Sequence, residues 1–373
     1  MDKLKLFDYK LEFDIGDVAL VLGATFFQLF SNGDAFSSFY YSLLYLAVYQ
    51  LGKRIAAKGK YEPEVKSAVA VFLIALVWMI RGLINYSMRP QGETEDWVGW
   101  GRDGIVTPRT QFEGYLVLMA AFLGFFVILI LKKKFVMGVI GIAMSLVCIY
   151  TATNVNGRFA LGAAVCAGAC VIFMYYIDTK AYRTVVGRIL LILLAVGIAS
   201  IPVMYAFNIL GFRTRYEGSF LSGSGGIFTN VRFLYFVQQI KLFWERPNGS
   251  WDVPLFGYYS YDKGYYVHNF WLDEGRFGSV YSAIAFVIFT VTNIVSAFKV
   301  WLRSKSVYKY ALLSVFVGIT MYMALEVVIF RIYVITVSIF IGGLLRGVVN
   351  SMRTQEGAQR TGFREILVGF EWR

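Results

Sequence analysis

The feature that most restricts the fold of this chain is the recurrence of apolar stretches near 20 residues long, the length a helix needs to cross a bilayer's hydrocarbon core. They lie at 16–31, 35–52, 67–85, 114–131, 135–153, 159–177, 187–207, 277–298, 310–329 and 331–349. The first is short, and only Phe330 separates the last two. Hydrophobic residues make up 58% of the 373 residues and charged ones 16%, with mean hydropathy +0.59. A soluble domain has a larger charged share, about a quarter. The expected fold is all-α and polytopic, with about ten transmembrane helices in one integral membrane domain spanning 1–373.

Alternation of these spans sorts the basic residues. Lys53, Arg54, Lys58, Lys60 and Lys66 follow the second span, and Lys132, Lys133 and Lys134 the fourth. Lys180, Arg183 and Arg188 follow the sixth, Lys299, Arg303, Lys305 and Lys309 the eighth, and Arg353, Arg360 and Arg364 the tenth. All fall on one side, which the positive-inside tendency makes cytoplasmic, together with both termini. The same clusters account for the net charge of +12 and pI near 9.4, so no nucleic-acid partner is expected. Cys148, Cys166 and Cys170 all sit in apolar runs, an odd number that argues against a disulfide framework or a zinc site. The N-terminus has no cleavable signal pattern.

Two larger segments, 86–113 and 208–276, then face outward. Connections this long usually carry function or structure of their own. Within the second, an amphipathic helix is expected near 230–246. Phe233, Phe236, Val237, Ile240, Phe243 and Trp244 form one stripe, and Pro247 and Gly249 end the helix. It is expected to lie on the membrane surface or cap a cavity.

Chemistry-bearing residues gather on the same side. His268, the one histidine of the chain, precedes the eighth span. A neutral imidazole can take a proton from a sugar hydroxyl near neutral pH. The plainer reading is an interfacial histidine bonded to a backbone carbonyl. Arg158 opens the sixth span, Arg213 and Arg215 follow the seventh, and Arg232 opens the amphipathic helix. Arginine is disfavoured on this side, and a diphosphate ligand would give it a reason, because the guanidinium fork binds phosphate oxygens in pairs. Pairing with Glu217, Glu245 or Asp252 is the alternative. Trp97, Trp100, Trp244, Trp251 and Trp271 suit sugar faces, or an interfacial belt. The acidic residues Glu93, Glu95, Asp96 and Asp103 read as a solvated loop face rather than a metal site, and no Walker loop or Cys/His metal spacing occurs.

Arg232 with Trp244-Glu245-Arg246-Pro247, Pro254-Leu255-Phe256-Gly257, His268-Asn269 with Leu272, and Gly275 with Gly278 together resemble the signature of the O-antigen polymerase and ligase superfamily. Asn156-Gly157-Arg158 is similar to that family's Ser-Arg, with Gly157 in place of serine. The resemblance covers roughly 230–280. The stretch between Pro247 and Pro254 is longer than is common there, and tyrosines follow the Pro-Leu-x-Gly.

The resemblance implies a GT-C-like glycosyltransferase of the bacterial cytoplasmic membrane, acting on its outer face without metal or cofactor. Its substrates would be undecaprenyl-diphosphate-linked glycans, and its protein partners a flippase and a chain-length regulator. It implies His268 as base or orienter of the base, and Arg158 and Arg232 on the diphosphate with Arg213 and Arg215 as helpers. Asn269 and Glu245 would orient the loop and helix. The first expectation is a polysaccharide polymerase. The alternatives are a ligase that moves glycan to a lipid A core and, from another class, a lipid-linked glycan flippase.

Overall fold

In the computed structural model, described residues are 13–31, 35–57, 61–87, 97–99, 106–154, 158–180, 231–253, 255, 266–325 and 332–370, with isolated positions between 183 and 207. The chain is predominantly helical. In order it forms α1 (Ile15–Phe30), α2 (Ala35–Ile55), α3 (Pro63–Ser87), α4 (Arg109–Ala121), α5 (Leu123–Leu131), α6 (Phe135–Asn154), α7 (Arg158–Asp178), α8 (Val231–Glu245), α9 (Phe270–Phe277), α10 (Val280–Arg303), α11 (Lys309–Leu325) and α12 (Ile332–Phe370). The expectation of an all-α chain needs one addition. Strands β1 (Trp97–Gly99) and β2 (Val106–Pro108) pair antiparallel, with Trp97 opposite Pro108.

Among the described residues, six segments are long and apolar enough to cross a membrane: 63–87, 113–131, 135–154, 161–178, 280–303 and 332–353. Two shorter apolar helices, 15–30 and 309–325, join them. These are membrane-type helices: side chains such as Val77, Val136, Val139 and Phe173 point outward from the bundle. Of the remaining expected spans, 35–52 falls on α2, which is long but carries Tyr40, Tyr41, Tyr45, Tyr49 and Gln50. The span at 187–207 lies outside the described residues apart from isolated positions. Several boundaries differ from expectation, two of them markedly. The fourth span is divided at Phe122 into α4 and α5, and α12 runs on to Phe370, taking in Arg353, Arg360 and Arg364.

Polar contacts fix which helix ends lie together. At one end, Lys53 Nζ sits 2.7 Å from Asp17 and 3.4 Å from Asp14, and Arg346 Nε reaches Asp14 at 2.9 Å. Ser351 donates to the Ala56 carbonyl, Lys66 to the Ala57 carbonyl, and Ser304 to Glu64 at 2.6 Å. Asp178 takes Lys309 and the Tyr310 hydroxyl, both at 2.6 Å. This end therefore holds the start of α1, the end of α2, the start of α3, the ends of α7 and α10, the start of α11, and α12 near 346–351. The buried ion pairs need such close partners, since an isolated charge here would cost several kcal/mol. Lys53, Lys66, Lys134 and Lys309 of the basic clusters read from the sequence fall at this same end. α8 and α9 lie at the opposite end, where Asn269 bonds the Ala324 carbonyl at the end of α11 and Arg276 of α9 bonds Gln239 of α8.

The helices pack through small residues. A Cβ on Gly52 of α2 would lie 2.5 Å from the Phe340 carbonyl oxygen of α12, and one on Gly343 of α12 would collide with the Tyr49 carbonyl oxygen. Backbones this close gain dispersion contacts that a bilayer, itself apolar, cannot oppose.

Candidate functional site

The end opposite the basic clusters is organised by α9. Asn269 caps it: its side-chain oxygen accepts from Leu272 N at 3.2 Å, while its Nδ2 donates to the Ala324 carbonyl at the end of α11 at 3.1 Å. One residue thus fixes the start of α9 and ties it to the bundle.

His268 precedes this cap with φ 61°, in the left-handed region. That conformation costs an L-residue roughly 1–2 kcal/mol and is most often taken by Asn, Asp or His outside glycine. Asp273 holds it in place. Its carboxylate accepts from Val267 N at 2.7 Å and Asn269 N at 3.2 Å, with the His268 N–H also bonded to it. Burial pushes the Asp273 carboxyl up to about 7, while those N–H groups and Arg276 pull the other way.

Arg276, on the last turn of α9, is fully buried. Its guanidinium donates to the carbonyls of Val253 at 2.7 Å and Trp251 at 3.5 Å, and to Gln239 Oε1 of α8 at 3.4 Å. Gln239 in turn bonds Ser250, whose N–H donates to the Arg276 carbonyl at 2.9 Å. Gly275 leaves room for the Phe243 ring of α8, and Gly278 for Phe27 of α1. Val280 N donates to the Pro247 carbonyl at 2.9 Å. The residues around Pro247, His268 and Gly275 are therefore brought into one unit, with Arg276 at its centre.

This latch sets how α8 sits on the bundle. α8 forms where expected, but its inward face is Tyr235, Gln239 and Leu242. Val237, Ile240 and Trp244 of the expected stripe point away, with Trp244 86% exposed. The buried Gln239 bonds Ser250 and Arg276 on the inward face.

A cavity of about 560 Å³ opens beside α9, between α1, α2 and α10. Its polar lining is Gln28, Ser31, Ser37, Tyr41, Tyr45 and Glu274. Phe27, Trp251, Phe277 and Phe286 supply aromatic walls. Glu274 is 3% exposed, and the Ser282 hydroxyl lies 3.1 Å from its Oε2 and 3.0 Å from the Gly23 carbonyl oxygen, donating to one at a time. Burial pushes the Glu274 carboxyl well above the usual range, Ser282 opposing and Asp273 adding to the rise.

The expected site residues are distributed as follows. His268 and Asn269 lie in the turn before α9, and His268 is not among the residues lining the cavity. Glu245 pairs with Lys241 at 3.5 Å on the exposed side of α8, and Asp252 with Arg246 at 3.3 Å. Arg158 opens α7 and Arg232 lies in the first turn of α8, but both side chains are outside the described residues. Arg213 and Arg215 lie outside the described residues altogether, as do Trp100 and the acidic positions Glu93, Glu95, Asp96 and Asp103. Trp251 reaches the cavity, while Trp271 donates to Thr290 Oγ1 at 2.9 Å.

Asp273, Glu274 and Arg276 were not singled out from the sequence. Their signal was three charged residues immediately before an apolar span, where solvation is scarce. Among the described residues, no three His, Cys, Asp or Glu side chains converge as a metal site would require. No protein-family model matches the chain, and no curated protein matches it. The resemblance over 230–280 rests on its own residues.

Proposed function

We propose that this protein is a glycosyltransferase of the bacterial cytoplasmic membrane that polymerises undecaprenyl-diphosphate-linked repeat units into a surface polysaccharide. In this reading about ten spans cross the membrane and the α9 end faces outward. Val237, Ile240 and Trp244 of α8 rest in the bilayer interface. The observation that carries the reading is the occurrence of two features at one end of the bundle: a cavity walled by aromatic and hydroxyl groups, and a histidine held in a strained turn at the start of α9, the helix that also lines the cavity. Strained backbone is retained where surrounding contacts enforce it, and functional sites concentrate such positions.

The reaction needs little covalent help from the protein. An acceptor hydroxyl oxygen bonds to the anomeric carbon of the donor glycan as the bond from that carbon to the diphosphate oxygen breaks. The lipid diphosphate leaves with the electron pair, and the hydroxyl proton passes to His268. Arg158 and Arg232, with Arg213 and Arg215, bind the diphosphate charge as it develops. Asn269 and Asp273 fix the histidine's backbone, which lowers the cost of orienting it.

Deletion of the gene in its host tests the class. Loss of long polymer, with single repeat units still exported and attached, supports the polymerase. Long polymer retained on the lipid carrier would instead indicate a ligase. Lipid-linked units trapped on the cytoplasmic side would indicate a flippase.

A further inference from the structure

We infer that the cavity beside α9 is a saccharide subsite in which Glu274 accepts hydrogen bonds from sugar hydroxyls. The inference deepens the polymerase reading and rests on it for the identity of the sugar. At about 560 Å³ the cavity has the size of a small-molecule site, for which roughly 300–1,000 Å³ is usual. Its chemistry narrows the ligand. Glu274 brings an almost fully buried carboxyl group to the wall, and within the protein the Ser282 hydroxyl bonds one of its oxygens. A carboxyl group can accept on its free oxygen and, when protonated, can also donate, so hydrogen-bonding capacity remains for a ligand.

An anionic ligand would be repelled by the ionised carboxyl, and no cationic side chain among the described residues lines the cavity to hold it. A lipid tail would bury the carboxyl without a donor, at a cost of several kcal/mol. A divalent cation needs six or more oxygen ligands for calcium, or a near-octahedral set for magnesium. The cavity offers one acid, because Asp273 is turned toward the backbone N–H groups of 267–269. A neutral polyol fits all of these conditions. Its hydroxyls donate to Glu274 and exchange bonds with Gln28, Ser31 and Tyr41, while its apolar face lies on Phe277 or Trp251. His268 precedes the N-cap of α9 and Glu274 is the fifth residue of that helix, so the cavity and the histidine turn are tied to one short element.

The test uses the oligosaccharide freed by mild acid from the host's lipid-linked repeat unit, a probe without lipid or phosphate. Saturation-transfer NMR on the purified full-length protein measures its binding, beside polymerisation assays of the same samples. Wild type is expected to bind, Glu274→Ala to bind about tenfold more weakly or worse, and Glu274→Gln to lie between. The glutamine is nearly isosteric and keeps an oxygen for Ser282, so it reports on binding if the alanine variant does not fold. In polymerisation, KM for the acceptor should rise more than kcat falls. Equal binding by wild type and Glu274→Gln with unchanged KM would overturn the subsite while leaving the polymerase reading standing. No transfer to the probe at millimolar concentration in wild type would also overturn it. Glu274-dependent binding in a protein that makes no polymer would support the subsite and sink the polymerase reading.

Discussion

Replacing Asp273 by alanine should release the histidine turn without dismantling the bundle. The carboxylate accepts from Val267 N at 2.7 Å and from Asn269 N at 3.2 Å, and also bonds the His268 N–H. A buried donor left without an acceptor costs about 1–3 kcal/mol. Losing the two strongest contacts therefore costs about 2–6 kcal/mol, toward the lower end once water enters. The turn also stores the roughly 1–2 kcal/mol of a left-handed His268, so opening it gives that back. Opening becomes the cheaper response than global unfolding. Amide hydrogen exchange at 267–269 should accelerate by about 30- to 1,000-fold, for a local loss of about 2–4 kcal/mol. Exchange in α11 and α12 should stay near wild type, and transfer activity should fall at least tenfold. Asp273→Asn keeps one acceptor oxygen and should fall between the two. Unchanged exchange at 267–269, with full activity, would refute the claim that this carboxylate positions His268.

Three further outcomes follow from the same geometry. Arg276→Leu strands the Val253 carbonyl and Gln239 in a buried place; it should cost about 3–5 kcal/mol and loosen the 247–255 segment from α8, read by thermal unfolding and by protease cleavage near Trp251. Because the folded Asp273 carboxyl sits at about 7 rather than near 3.8, the folded state holds a proton that the unfolded state has released between those values. Stability from this group is present below about 3.8 and is lost as pH rises through 7, by up to about 4 kcal/mol; melting of wild type relative to Asp273→Asn at pH 4.5 and pH 8 measures it. Arg158→Ala and Arg232→Ala should each lower transfer about 30- to 1,000-fold, with lysine rescuing incompletely because it lacks the planar fork, in yields normalised to folded protein.

The sequence was most legible where one local signal sufficed. The 3.6-residue pattern and Pro247 place α8 within a residue of its observed ends, and the apolar runs place most of the membrane helices. It was silent where distant partners decide. The face that α8 turns inward depends on Gln239 meeting Ser250 and Arg276, 11 and 37 positions away, which no helical wheel contains. The eighth span read as beginning at 277, whereas Ser279 caps a separate α10 and leaves Phe270–Phe277 as its own short helix. Of the site, His268 was visible as the one histidine of the chain, just before a span, and Asn269 through the resemblance over 230–280. Glu274 was passed over because a carboxylate near a membrane boundary reads as solvated until the α1 and α2 walls are seen around it.

The central claim is that this chain joins lipid-linked repeat units, with His268 receiving the acceptor proton. The most direct measurement is purified protein, wild type and His268→Gln, incubated with lipid-linked repeat unit and resolved as a product ladder, with donor binding followed separately. Wild type should build a ladder without added metal. The glutamine variant should bind donor normally yet extend it about 10²- to 10⁴-fold more slowly, because an amide hydrogen-bonds but cannot take the proton at neutral pH. A wild-type protein that binds donor but builds no ladder, or a glutamine variant that builds it at the normal rate, would contradict the account.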